Sequence, residues 1–322
     1  MKEQPLILGP IIAPVGEKAK GFITIDESGA GTLVRAPVML VNGVHEGPTL
    51  VLASGVHGDD LNSIPMIWRI VQRLDAHALY GQVIAVPISN PLALEAGAHL
   101  TPEDGKSLSF PGRLDGTISE RMSYQLYHLV VRRADYLIDL HGGSINATLA
   151  VLASIDASAD PRIRSETEAM ARAFGPQLIV VHEQKKKGNG MSMAQAACYN
   201  SAPGIYIGMG QVGFNDSDTR RGTEGVLNVM RHLKMQAEPV RENNNALLAS
   251  TELYHYTPYG GGFFPEVAAG DIVSAGDSLG IVADVFGRPV GQILAEVNGI
   301  VDAIRNYPAV STGDWVASVA RR

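Results

Sequence analysis

Apolar runs alternate with amphipathic stretches through the first two thirds of the chain. Thr49 to Ala53 is apolar and β-rich, Ile64 to Leu74 has helical spacing, and Val83 to Ile88 is again apolar. The alternation continues with Ser119 to Arg132 as helix, Tyr136 to Leu140 as strand, Arg162 to Phe174 as helix and Leu178 to Val181 as strand. Strands that are apolar throughout, rather than at every second position, must be covered on both faces. The pattern predicts an α/β fold with an open, mixed, mostly parallel sheet flanked by helices.

The polar stretch from Gln236 to Ala249 changes the character of the chain and places a boundary between a first domain, residues 1–240, and a second, residues 247–322. The second region reads as β and repeats itself: Gly262 to Val282 matches Gly299 to Val319 at an offset of 37 residues. Val273-Ser274-x-Gly276-Asp277 corresponds to Val310-Ser311-x-Gly313-Asp314, each a turn between apolar strands. Two copies imply a small β unit that resembles the barrel-sandwich shape of biotinyl and lipoyl domains. Neither turn carries the Lys on which those domains mount their cofactor, so a carrier role is disfavoured.

Composition narrows the function classes. A chain of 322 residues with 45% hydrophobic content can bury a sizeable core. Twenty-six Lys and Arg stand against 33 Asp and Glu, a formal charge of −7, which argues against a nucleic-acid face. The one basic run, Lys185-Lys186-Lys187, abuts Gly188-Asn189-Gly190 and reads as a solvated loop. A single cysteine, Cys198, excludes an internal disulfide and a multi-cysteine metal site. Nothing approaches the ~20 apolar residues of a membrane span, and the N-terminal stretch lacks the long apolar core of an export signal. Cytoplasm is the default expectation, with a small-molecule substrate as partner and room for a homo-oligomer.

The chemistry concentrates at two strand ends. Thr49 to Ala53 runs into Ser54-Gly55-Val56-His57-Gly58-Asp59-Asp60, and Tyr136 to Asp139 delivers Leu140-His141-Gly142-Gly143. Open α/β sheets bind ligands at the C-terminal ends of their strands. His57, Asp60 and His141 there form a three-ligand set that leaves one position of a zinc ion open, as catalytic zinc sites do. Asp139 is placed either to orient His141 or to bond the sheet end. Of the nine histidines, His45, His77, His128, His182, His232 and His255 read as surface or packing residues. Ser54 and Ser144 show no Ser/His/Asp arrangement, and Gly260-Gly261-Gly262 is a turn rather than a phosphate loop.

From about residue 20 onward the chain resembles the succinylglutamate desuccinylase/aspartoacylase family, zinc hydrolases related to the M14 carboxypeptidases. Gly55-Val56-His57-Gly58-Asp59-Asp60 resembles the family's first metal motif, and Asp139-Leu140-His141-Gly142-Gly143 its second. Asn90-Pro91, Phe110-Pro111-Gly112 and the trailing β unit follow in family order. The resemblance implies a zinc-carboxypeptidase-like sheet and zinc on His57, Asp60 and His141.

The departures fall on site positions. Asp60 stands where the family usually has Glu. In Pro203-Gly204-Ile205-Tyr206-Ile207-Gly208-Met209-Gly210-Gln211, Gly208 takes the place of the Glu that serves the family as general base. His99 replaces an Arg after Asn-Pro, and the Asn-Arg pair before Phe110-Pro111-Gly112 is missing, so the carboxylate fork those arginines supply is lost.

Three functions remain open. The first is a zinc-dependent amidohydrolase removing an acyl group from a small amino-acid-like molecule, with a substitute proton acceptor among Glu224, Asp216, Asp218 and Asp59. Glu224 also reads simply as a helix-start acid. The second is a metal-dependent lyase on a small carboxylate compound, with Tyr206, His99, Tyr199 and Lys106 as acids or bases. The third is a non-catalytic metal-dependent binding protein. Asn90, Lys106, Ser144, Asn146 and Gln211 are the candidate substrate contacts.

Overall fold

The structure, a computed structural model, describes residues 3–157, 160–183, 190–241 and 245–321. Lys185 to Lys187 and their glycine-rich neighbours up to Asn189 lie outside them. The chain opens with β1 (Leu6–Leu8), β2 (Ile11–Ala13), β3 (Lys18–Glu27), β4 (Leu33–Asn42) and β5 (His45–Ala53). It continues through α1 (Ser63–Arg73), β6 (Tyr80–Val86), α2 (Pro91–Ala96), α3 (Ile118–Leu129) and β7 (Tyr136–Gly142). Then follow β8 (Ala147–Ala157), α4 (Pro161–Phe174), β9 (Leu178–Glu183), α5 (Met193–Tyr199), β10 (Gly204–Gly210) and α6 (Asp216–His232).

The central strands lie side by side in the order β10-β7-β5-β6, all parallel, as the strand–helix alternation predicts. Antiparallel strands extend this block on both sides, β4 and β3 beyond β6, and β8 beyond β10. Both faces are covered. Ile138, Leu140, Ile205 and Ile207 pack under α1, α4 and α6, while Val51, Ala53 and Leu137 face α3 and α5.

The later strands are β11 (Leu247–Ala249), β12 (Glu252–Tyr256), β13 (Gly261–Pro265), β14 (Ile272–Val273) and β15 (Ser278–Ala283), then β16 (Pro289–Leu294), β17 (Gly299–Arg305), β18 (Ala309–Val310) and β19 (Trp315–Arg321). The 37-residue repeat is visible as two matching three-strand copies. β13 pairs with β15 and β17 with β19, and the copies exchange short strands, β18 onto β13 and β14 onto β17. Their turns carry the same bond: the Ser274 N–H donates to Asp277 Oδ2 at 2.7 Å and the Ser311 N–H to Asp314 Oδ2 at 2.9 Å. The anticipated break near residue 247 is not a gap in the hydrogen bonding, because β11 pairs with β9 and β17 with β8. Among the described residues no helix is long and apolar enough to cross a membrane.

Candidate metal centre

β5 and β7 are parallel neighbours with Ala53 opposite Asp139, so the loop after β5 and the end of β7 meet at the C-terminal end of the parallel block. The loop turns tightly because Gly58 packs against α2: a Cβ there would lie 2.0 Å from the Ala93 carbonyl oxygen. Donor atoms of His57, Asp60 and His141 consequently lie within 4.8 Å of one another.

Each histidine ring is held by a partner. His57 Nδ1 lies 3.1 Å from the His99 carbonyl oxygen and 3.2 Å from Ser107 Oγ. A proton on Nδ1 donated to that carbonyl leaves the Nε2 lone pair for a cation. Burial, only partly offset by Asp60, lowers the His57 pKa to about 4, so the ring is neutral near pH 7, the form that binds metal. On the other ring, His141 Nε2 lies 3.0 Å from Asp139 Oδ1. Asp139 Oδ2 in turn accepts the N–H groups of Met193 and Ala194. This is the carboxylate–histidine arrangement that orients metal ligands.

The remaining nitrogen, His141 Nδ1, is buried without a hydrogen-bond partner and faces Asp60 Oδ2 at 3.0 Å. A nitrogen lone pair and a carboxylate oxygen so close need a positive charge between them. Burial would lower the His141 pKa, but Tyr206, Asp139 and Asp60 together raise it well above its ordinary value. A proton or a metal ion meets the same need, and two histidines with a carboxylate are a fitting donor set for a divalent metal.

Around this core lie several of the candidate residues. His99 stacks flat on His57, with centroids 3.8 Å apart and planes 6° apart, and its Nδ1 is 2.8 Å from Asp59 Oδ1. Burial alone would raise the Asp59 pKa, but hydrogen bonds from His99 and from the Ile145 N–H hold it below the usual value. Tyr206 stacks on His141 with centroids 4.3 Å apart. Burial pushes its hydroxyl up to about 12, leaving it a hydrogen-bond donor at neutral pH rather than a base. Gly208 sits opposite His141 in the β10–β7 pairing, and a Cβ there would lie 3.0 Å from Leu149 Cδ1 and 3.2 Å from Tyr206 Cε1. A cavity of about 220 Å³ opens beside His57 and His141.

Other candidates are placed elsewhere. Glu224 is not at a helix start, since α6 begins eight residues earlier, capped by Asn215. It pairs with Arg73, the last residue of α1, at 2.5 Å and with Arg241 at 3.3 Å. The 11 residues of α1 span about 16 Å, and Asp60 precedes the other end, so Glu224 is remote from the cluster. Asp216 is paired with Arg69 and Arg220. Lys106 points its Nζ at Glu120, 3.9 Å away. Asn90 caps α2, its Oδ1 accepting the Ala93 N–H and its Nδ2 donating to Thr101. Gln211 contributes its backbone carbonyl to Asn62. Ser144 and Asn146 belong to the turn between β7 and β8, which borders the site through Ile145 and Asp59 and is tied to the C-terminal β unit through Asn306.

Comparison with known proteins bears on the family and the fold. Residues 46–233, more than half of the chain, match the succinylglutamate desuccinylase/aspartoacylase catalytic domain. The N-alpha-acetyl-L-2,4-diaminobutyric acid deacetylase of Halomonas elongata is 28% identical, over 97% of this chain and 95% of its own. A succinylglutamate desuccinylase/aspartoacylase from Rhodobacter sphaeroides superposes with a TM-score of 0.84 at 25% identity, covering 94% of this chain and 95% of its own. The ectoine utilization protein EutE (DoeB) from Ruegeria pomeroyi, in a product-bound structure, also gives 0.84, at 21% identity over the whole of both chains. The chain belongs to the succinylglutamate desuccinylase/aspartoacylase family.

Proposed function

We propose that the protein is a zinc-dependent deacylase that hydrolyses the amide bond of a small N-acyl amino-acid-like compound. The observation that carries this reading is the convergence of His57, Asp60 and His141 within 4.8 Å in a chain matched almost end to end by a diaminobutyrate deacetylase. Bound to these three residues, zinc supplies Lewis acidity toward the amide carbonyl and lowers the pKa of water.

The chain's own residues do the rest. Asp139 fixes the His141 ring, and the His99 carbonyl fixes the His57 ring. With Gly208 in place of the family's glutamate, the proton acceptor is assigned to His99 Nε2, because Asp59 occupies Nδ1 and orients the ring. Tyr206 keeps its proton at neutral pH, so its hydroxyl is available as a donor to substrate. The C-terminal β unit borders the turn over the site through Asn306 and shapes access.

Gly208 also favours a second reading, a metal-dependent binding protein without turnover. Mass analysis of products from zinc-loaded protein and a panel of N-acyl amino acids separates the two. Free amine and carboxylic acid support the deacylase. An unsaturated product would point to a lyase, and unchanged substrate to the binding protein.

A further inference from the structure

Loops at the C-terminal end of the parallel block are tied together by hydrogen bonds, and each presents an apolar side chain next to its bonded residues. The Leu61 N–H donates to the Asp59 carbonyl and the Ile145 N–H to Asp59 Oδ2, so both are anchored on the residue that orients His99. Asn62 Nδ2 donates to the Gln211 carbonyl and Asn62 Oδ1 accepts the Asn215 N–H, which fixes the intervening Val212 and Phe214. Asn306 donates to the Asn146 and Ser144 carbonyls and so sets Tyr307 beside the Ile145 turn. All five side chains are exposed, Ile145 by 52% and Phe214 by 62%.

None of the five lines the cavity of about 220 Å³ beside His57 and His141, so this collar is a separate surface that begins at Leu61, directly after Asp60. Single exposed apolar residues are ordinary, but five brought to one rim by different loops mark a contact surface. The bonds that hold the loops set its shape in advance, which lowers the cost of binding. An N-acyl amino acid offers two halves to it. The amino-acid half carries an ionised carboxylate one carbon from the amide nitrogen, which would meet apolar side chains and the Asp59 carboxylate there. The acyl half brings no charge and gains from each methylene buried. A cation on the three ligands adjoins the amide in either orientation and does not choose between them.

We propose that Leu61, Ile145, Val212, Phe214 and Tyr307 hold the acyl chain of the substrate, which is then longer than acetyl: a medium-length aliphatic or an aromatic acyl group. The proposal rests on the deacylase reading for the position of the amide, but recognition is measured apart from turnover. The probes are N-acetyl-, N-butyryl-, N-hexanoyl-, N-octanoyl- and N-benzoylglycine, with N-acetylleucine and N-acetylphenylalanine as the series that enlarges the other half. Calorimetric binding and hydrolysis are followed for zinc-loaded wild type, Ile145→Ser and Phe214→Ser. Phe286→Ser is the control, at a residue 81% exposed in the turn between β15 and β16.

Wild type should bind the aliphatic acylglycines more tightly with length, by up to about fourfold per methylene. Ile145→Ser and Phe214→Ser should each lower the octanoyl-to-acetyl affinity ratio about fivefold or more, while Phe286→Ser keeps the wild-type ratio. Affinity independent of acyl length, a ratio retained in both collar variants, or failure of every acylglycine to bind would overturn the proposal. Tightening along the N-acetyl amino-acid series that the collar variants erase would overturn it too, by giving the collar to the other half. So would an unchanged ratio beside a dimer, seen in light scattering, that the collar variants dissociate, since a second copy would then cover the collar. Length-dependent binding that the variants erase, without hydrolysis, would leave this inference standing and remove the deacylase reading. Hydrolysis of all the acylglycines with equal affinity would do the reverse.

Discussion

Asp59 Oδ1 lies 2.8 Å from His99 Nδ1, and the ring it holds rests flat on the metal-ligand candidate His57. A buried carboxylate that fixes an imidazole in one tautomer is how an oriented histidine base is commonly built. Replacing the proposed base, by His99→Ala, should lower kcat by about 10²–10⁴-fold. Asp59→Asn should act in the same direction through the tautomer. Metal content should be unchanged in both, and steady-state kinetics beside elemental analysis checks the pair. Wild-type rates in His99→Ala would move the proton transfer to another group.

Metal binding should depend on each ring and on the carboxylate that orients one of them. His57→Ala and His141→Ala should each lose bound zinc, and Asp139→Asn should weaken it about 10–100-fold. Because the ion binds the folded form, chelation should also lower Tm. Elemental analysis and thermal melts with and without chelator make the comparison. Full metal content in both alanine variants would contradict the assignment.

Position 208 should decide how fast the amide is hydrolysed. The pairing of Gly208 with His141 puts a side chain introduced there on the Tyr206 side of β10. Gly208→Glu should raise hydrolysis, with a modest loss of stability because Leu149 Cδ1 must move from 3.0 Å. Rates and melting temperature of the variant provide the check. A folded variant with no gain would show that the acceptor is already in place.

Away from the site, Asp302 should make stability pH-dependent. Burial raises its pKa from 3.8 to about 7, with the neighbouring Glu252 charge adding to the rise. A folded-state pKa raised above the unfolded one gives stability that is complete below about 4 and is lost as pH rises to about 7. Tm should fall across that window, and Asp302→Asn should flatten the slope. A wild-type profile that is flat from pH 4 to pH 7 would contradict this.

The parallel block and the convergence of His57, Asp60 and His141 were legible in the sequence because both rest on local signals. Uninterrupted apolar runs mark doubly covered strands, and His57, Asp60 and His141 stand beside glycines at their ends. The 37-residue repeat was equally plain, since each copy carries its own Ser-x-x-Asp turn. Long-range pairing was not. Glu224 reads as a helix-start acid because Gly222 and Gly225 interrupt the helical pattern, yet both are inside α6, where Met66 and Phe174 pack too closely for a Cβ. Asp59 and His99 are 40 residues apart, and only the turn after α2, which brings the Ala98 carbonyl to the Gly58 N–H, puts them together. Asn90 and Lys106 looked like substrate contacts from their neighbours in sequence, but capping and ion pairing use both side chains.

The most direct test of the account is the release of free amine from small N-acyl amino acids, measured with zinc-loaded wild type, metal-free wild type and His141→Ala. The account predicts release by the loaded wild type alone, restored to the metal-free protein by zinc and not restored to His141→Ala. Equal release by the metal-free protein or by His141→Ala would contradict it.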